Sequence, residues 1–448
     1  MRSWVRLGAV AVAVLVLGGL APAAGAQLVP PVGLPIPPIA LTSEPTALGR
    51  LDRQHPLLTF SGGVENPTPF PLANLPVPVV CEATCQQFAF TAARRTPFLV
   101  SIKDKAGSQN NGWDLYVYGP SGDLVGAANG VGANGQAIAV TAPRRGSYRV
   151  YVTFTYAYDT SAAYAGEVRL MTGTTWQPAA PVCRGGAGRR CFNLPVLFAE
   201  PPSDLHVNGL PPAASTPLGF PIPVAFPTDN SCYVDETVQL GASRCLRFTS
   251  NVKNVGGGLL DLRLTYSGTG CVAEQILHGA RRKATRTAGP CEFHPAHAHF
   301  HYKDFVGFAL HELNGDGTLG DEVGSGLKES FCLADDDYFG FGSAGPNGPR
   351  DYAGQPGCSV PANVSPNGAV LEEGLTPGWG DVYTWDTPGQ VIDITDLAPG
   401  RYALVERTNP AESMLVAGPQ QTCSRTDLTL TATNVTATAS HAVVACPE

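Results

Sequence analysis

From about residue 81 onward, short runs of alternating apolar and polar residues dominate the chain, the period-2 signature of half-buried strands. "FLVSIKDKAG", "WDLYVYGPSGDLVG", "AIAVTAPRRGSYRVYVTFTY" and "AGEVRL" each read as a strand or hairpin, and Pro120-Ser121-Gly122-Asp123 supplies a turn between two of them. The pattern resumes after residue 206 in "CLRFTSNVKNVGG", "LLDLRLTY", "HFHYKDFVGFALHEL", "QVIDITDL", "GRYALVERTNP" and "DLTLTATNVTATASHAVV". No amphipathic helical run exceeds about three turns. The predicted fold class is all-β, an N-terminal β-sandwich followed by a C-terminal β domain with long loops.

The flanking composition predicts the organisation. Residues 1–26 read as an export leader: Arg2 and Arg6, the apolar run Leu7 to Leu20, then the small-residue site Ala24-Gly25-Ala26. No second long apolar run occurs, so no membrane span is expected, and the protein is expected to be secreted, extracellular or associated with the cell envelope. Residues 27–78 are proline-rich and aperiodic and predict an extended, weakly ordered arm. The accessory sandwich is expected over 79–172. A Pro-, Gly- and Arg-dense linker over 173–205 follows, clipped by Cys183 and Cys191, and the second domain spans 206–448. Twelve cysteines, an even number in an exported chain, predict disulfides, with Cys81/Cys85, Cys183/Cys191 and Cys423/Cys446 as local pairs. A net charge of -8 without a basic block argues against a nucleic-acid partner.

Nine histidines occur in all, and four of them lie between His294 and His301. In "HAHFH", His297, His299 and His301 occupy every second position, which on a strand places three imidazoles on one face. A polar strand face is the alternative, but strict alternation in a histidine-poor chain favours a metal site. Three imidazoles without a thiolate suit copper(II) or zinc, and the ligand set does not choose between them. His294 is open between a role at the metal, as hydrogen-bond partner of a ligand or part of an alternative ligand set, and a surface residue. "ELNGDGTLGDEV" has calcium-loop features, but Val323 stands where the loop needs a bidentate Glu, so a hairpin turn is the better expectation.

Three segments resemble the lysyl oxidase family, in that family's order and roughly its spacing. "EFHPAHAHFHYKDF" resembles its copper segment, "GLKESFCLADD" the segment carrying its cofactor lysine, and "GLTPGWGDVYTWDTPGQVIDITDLAPGRYALVERTNP" the segment carrying its cofactor tyrosine. The resemblance implies a lysyl oxidase-like catalytic domain over 206–448. It implies that His297, His299 and His301 hold copper(II), and that Lys328 and Tyr383 form lysine tyrosylquinone. The implied reaction is oxidative deamination of primary amines, peptidyl lysine included, by molecular oxygen. The products are an aldehyde, ammonia and hydrogen peroxide. Lysine is scarce here, and Lys328 is one of only six, which raises the weight of finding it at this place. Asp304 resembles an acidic residue after the family's triplet and is the expected catalytic base, with a solvated strand aspartate as the alternative. Asp335 to Asp337 form a second acidic group, open between such a role and a solvated loop.

The chain also departs from the family. Animal members place a cysteine before the triplet where this chain has Ala296, and family cysteines near the tyrosine are replaced, with Trp379 and Gly380 there instead. Upstream, "DLYVYGPSGDLVG" and "PRRGSYRVYV" resemble the small β-sandwich appended to secreted bacterial peptidases, the pre-peptidase C-terminal domain. The rival functions are a non-catalytic, metal-binding cell-surface β-sandwich protein and a zinc hydrolase built on the triplet.

Overall fold

A computed structural model of the chain describes residues 44–65, 85–93, 95–105, 112–128, 135–140, 143–156, 161–171, 182–184, 190–208, 231–268, 270–279, 283–294, 299–326, 330–340, 352 and 367–447. The described residues are almost entirely β, as the alternation predicts. The one α-helix among them is the seven-residue Val234–Leu240, closed by Gly241 at φ 69°.

The N-terminal strands form two facing sheets. One runs in the order Thr46–Leu51, Cys85–Ala92, Gly146–Tyr156, Gly112–Tyr118, Leu124–Ala128; the other runs Leu57–Glu65, Ser161–Leu170, Phe98–Asp104, Gly135–Val140. Their inward positions supply a core that includes Phe90, Phe98, Trp113, Tyr148 and Tyr164, all buried. The Pro120–Asp123 turn forms as predicted, with Gly122 at φ 82° and Gly119 N–H donating to Asp123 O at 2.8 Å.

Two expectations are corrected by these strands. The proline-rich stretch 27–78 is not an arm throughout, because Thr46–Leu51 and Leu57–Glu65 are strands of the sandwich. Proline density outside 46–55 masked an ordinary strand pattern in "TALGRL" and "LLTFSGGVE". The stretch 173–205 is likewise more than a linker. Val182–Arg184 pairs with Arg190–Phe192, with Cys183 opposite Cys191, and Leu197–Ala199 and Ser203–His206 pair with Cys245–Asn254.

The C-terminal strands form three further sheets. In the first, Cys245–Asn254 lies between Leu197–Ala199 and Trp379–Tyr383, with Asp337–Tyr338 beyond. The second runs Ser330–Phe331, His299–Lys303, Lys283–His294, Cys271–His278, Leu260–Tyr266, Val370–Leu375. The third runs Leu319–Ser325, Val306–Leu313, Gly400–Thr408, Cys423–Leu430, Val435–Val444. They share one core that includes Phe248, Leu262, Phe300, Tyr302, Phe331 and Leu404, each fully buried. The hairpin between Val306–Leu313 and Leu319–Ser325 replaces the calcium-loop reading: Asp316 accepts from Thr318 N–H at 3.0 Å and from its hydroxyl at 2.7 Å. Cys423 and Cys446 are linked as expected, Cys232–Cys245 and Cys271–Cys291 are two further disulfides, and no described cysteine is free. The expected Cys81/Cys85 pair lies partly outside the described residues, although Cys85 is disulfide-bonded. No helix of the described residues is long and apolar enough to cross a membrane.

Sandwich and C-terminal core meet through a third cluster in which Leu99 and Ala137 pack with Tyr338 and Trp379. Lys103 Nζ donates to Tyr338 O at 2.9 Å across the same junction. Ile39–Glu448 thus forms one compact unit.

Candidate functional site

Strand alternation explains how the histidine segment is placed. Phe300 and Tyr302 turn into the C-terminal core, and His301 between them lies on the opposite face, 8% exposed. The antiparallel register sets Glu292 opposite His301 and His294 opposite His299. On the other side of the strand, Lys303 stands opposite Ser330 and Tyr302 opposite Phe331. His301 Nδ1 lies 3.3 Å from Ser330 Oγ, and that hydroxyl donates to Glu292 Oε1. His297 and Lys328 lie outside the described residues, as do the side chains of His294 and His299. The described residues contain no group of three metal-binding side chains, a statement that does not reach the triplet as a set.

Tyr383 reaches the neighbouring residues Phe331 and Cys332 from another sheet. It ends the strand Trp379–Tyr383, whose register against Cys245–Asn254 sets Tyr383 opposite Ser250. Glycine at 380 follows from that pairing, since a Cβ there would stand 2.5 Å from Asn251 Oδ1. The phenol of Tyr383 accepts from Cys332 N–H at 2.8 Å and donates to Cys332 O at 2.9 Å. Its ring meets Phe331 edge-on, centroids 4.9 Å apart at 83°. Phe331 and Cys332 immediately follow Ser330, two residues beyond Lys328. His301 and Tyr383 thus each contact the segment just after Lys328, His301 at Ser330 and Tyr383 at Phe331 and Cys332.

Burial pushes the Tyr383 phenol well above its ordinary pKa, with further upward contributions from Asp381, Asp336 and Glu373, and the Cys332 amide opposes them. Glu373, fully buried on Val370–Leu375, accepts from Leu333 N–H at 3.2 Å, and burial raises its carboxyl well above the usual range. Burial thus favours the neutral form of both groups.

Asp304 stands in the bend after His299–Lys303 at φ 63°, a left-handed conformation that aspartate tolerates. It makes no hydrogen bond or ion pair with His301 or Tyr383 among the described residues. Burial raises the pKa of the Tyr302 phenol and Asp304 adds to that shift; the phenol donates to Ala288 O at 2.6 Å. The second acidic group is not a solvated loop: Asp335 and Asp337 are buried. Asp335 accepts from Thr376 N–H at 2.8 Å and its hydroxyl at 2.6 Å, which fixes the turn leading into the Tyr383 strand. Asp337 accepts from Asn251 Nδ2 at 2.8 Å and pairs with Lys253 at 3.4 Å. Sequence reasoning missed Glu292, Ser330 and Glu373. The first two lie inside the quoted "EFHPAHAHFH" and "GLKESF" segments, but only strand register shows that they meet His301.

Residues 355–439 match the Lysyl oxidase family model, a span that includes Tyr383 and begins downstream of Lys328 and the triplet. Lysyl oxidase homolog 1 of Homo sapiens is 33% identical over 147 residues, 33% of this chain and 22% of that protein. Protein-lysine 6-oxidase of Gallus gallus is 34% identical over 122 residues, 27% of this chain and 23% of that protein. The chain therefore spans under a quarter of the length of each of these two relatives. Among solved structures, the pre-peptidase C-terminal domain of a Bacillus anthracis collagenase is 15% identical with a TM-score of 0.20, covering 29% of this chain and 99% of that one. At that score no argument rests on the likeness. Residues 355–439, with Tyr383 among them, are thus similar to the lysyl oxidase family domain, and lysyl oxidases are among the proteins this chain resembles in sequence.

Proposed function

We propose that this chain is a secreted, copper-dependent amine oxidase that converts primary amines, peptidyl lysine included, to aldehydes with release of ammonia and hydrogen peroxide. His297, His299 and His301 hold copper(II), and Lys328 and Tyr383 form lysine tyrosylquinone. The observation that carries the reading is the contact of the Tyr383 phenol with Cys332, four residues after Lys328, on the segment whose Ser330 touches His301. When present, copper with oxygen supplies the oxidising power for the tyrosine ring, and the mature quinone supplies an electrophile for a primary amine.

The residues of the chain do the rest. Cys332 anchors the Tyr383 oxygen through its backbone, and Phe331 packs on the ring. Burial keeps that phenol protonated until the chemistry begins. The imidazole of His301 suits a borderline metal, and its buried place restricts water. The role of Asp304 as base rests on its sequence position alone. Disulfides in the described residues support an oxidising compartment, in keeping with the export leader.

Mass spectrometry of the copper-loaded, aerated protein tests the proposal. A cross-link between the Lys328 and Tyr383 peptides, lost in Lys328→Ala, is the expected result. Full copper loading with both peptides unmodified would leave the non-catalytic metal-binding protein as the better account.

A further inference from the structure

Glu292, Ser330, Lys303 and His301 meet across three neighbouring strands at one end of the six-stranded sheet. Ser330 Oγ donates to Glu292 Oε1, and the other carboxylate oxygen lies 3.4 Å from Lys303 Nζ. The same Ser330 oxygen is 3.3 Å from His301 Nδ1, and both residues are buried, at 6% and 8% exposure. A serine hydroxyl has one proton to give, and an ionised carboxylate can only accept. Once that proton points at Glu292, Ser330 offers a lone pair to His301. Nδ1 must then carry the imidazole proton, and the lone pair of the ring falls on Nε2.

We propose that Glu292, acting through Ser330, is a positioning residue that fixes His301 in the tautomer whose Nε2 binds the metal. This rests on the reading of His297, His299 and His301 as a copper site. Lys303 holds the far oxygen of Glu292 and so orients the near one toward Ser330. Removing the acceptor should be as damaging as cutting the chain at Ser330. In Glu292→Ala the Ser330 proton is freed to turn to Nδ1, which moves the imidazole proton to Nε2.

The test is anaerobic copper(II) titration of the full-length protein against a chelator of known affinity, with the copper EPR spectrum recorded and the metal-free forms melted in parallel. Ser330→Ala and Glu292→Ala are expected to bind copper about 10–100-fold more weakly than wild type, with altered copper hyperfine splitting. Ser330→Thr, which keeps the hydroxyl, is expected to restore wild-type affinity and spectrum. Unchanged melting of the metal-free variants separates this effect from general loss of structure. Wild-type affinity and spectrum in both weakened variants would overturn the inference while leaving the copper site standing. A wild-type protein that binds no copper, or binds it equally well as His301→Ala, would overturn the site and this inference together.

Discussion

The phenolic oxygen of Tyr383 is held by both backbone groups of one residue, Cys332, at 2.8 Å from its nitrogen and 2.9 Å from its carbonyl. The two residues are 51 positions apart in sequence, Tyr383 ending one strand and Cys332 following a strand of another sheet. Cys332 follows the short strand Ser330–Phe331 beside His299–Lys303, so this one contact ties the histidine strand to the tyrosine strand. Backbone groups hold the oxygen without depending on a particular side chain at 332.

Tyr383→Phe removes both of these hydrogen bonds and leaves the ring contact with Phe331. The variant should fold and lose about 1 kcal/mol of stability, read by urea denaturation. Amine-dependent peroxide release and the cross-link to Lys328 should both disappear. Peroxide release at the wild-type rate would remove Tyr383 from the chemistry.

Asp335 is a buried carboxylate that accepts from Tyr352 N–H at 3.0 Å as well as from both donors of Thr376. Asp335→Ala strips three donors of a charged acceptor and should cost about 3 kcal/mol. Because the Thr376 turn leads directly into Trp379–Tyr383, proteolysis should begin near this turn in the variant. A denaturation midpoint equal to wild type would show that water replaces the carboxylate without penalty.

The fold class was legible because strand alternation is a local signal, written within six to ten residues of each strand. The turning of His301 away from the core was legible for the same reason, since alternation with Phe300 and Tyr302 sets it. Convergence was not. Nothing local says that Lys303 pairs with Ser330 or that Tyr383 reaches Cys332, because register between distant strands is settled by the whole core. Glu292 and Ser330 are ordinary residues until that register places them beside His301. The strands at 46–65 were hidden by a different cause, the proline-rich sequence on either side.

Glu373 gives a pH dependence of definite sign. Burial raises its folded carboxyl pKa well above the usual 4.5, so the native state keeps a proton that the unfolded chain has lost. Native protein then binds more protons than unfolded protein above pH 4.5, and stability falls as pH rises until the folded pKa is passed. Glu373→Gln keeps the size and removes the titration. The stability difference between variant and wild type should therefore move in favour of Gln as pH is raised from 4.5, measured by denaturant titration across the range. A difference independent of pH would show that Glu373 does not change protonation between the two states.

The sandwich touches the tyrosine strand through Trp379, which is fully buried and packs at a tilt on Tyr338, ring centroids 4.8 Å apart at 37°. Leu99 and Ala137 complete that cluster from the sandwich side. Trp379→Ala should cost about 3–5 kcal/mol and Leu99→Ala about 2–5 kcal/mol, the usual range for emptying a packed site. If the two side chains share one cavity, the second truncation meets a cluster already loosened by the first. The double variant should then be less destabilised than the sum of the two single ones by about 1 kcal/mol. Denaturant titration of the four proteins reads this directly. Additivity to within about 0.5 kcal/mol would mean that the sandwich and the Tyr383 strand are energetically independent. A clear coupling would make the sandwich a structural support of the strand that carries Tyr383, and changes at Leu99 should then alter amine oxidation without touching the site.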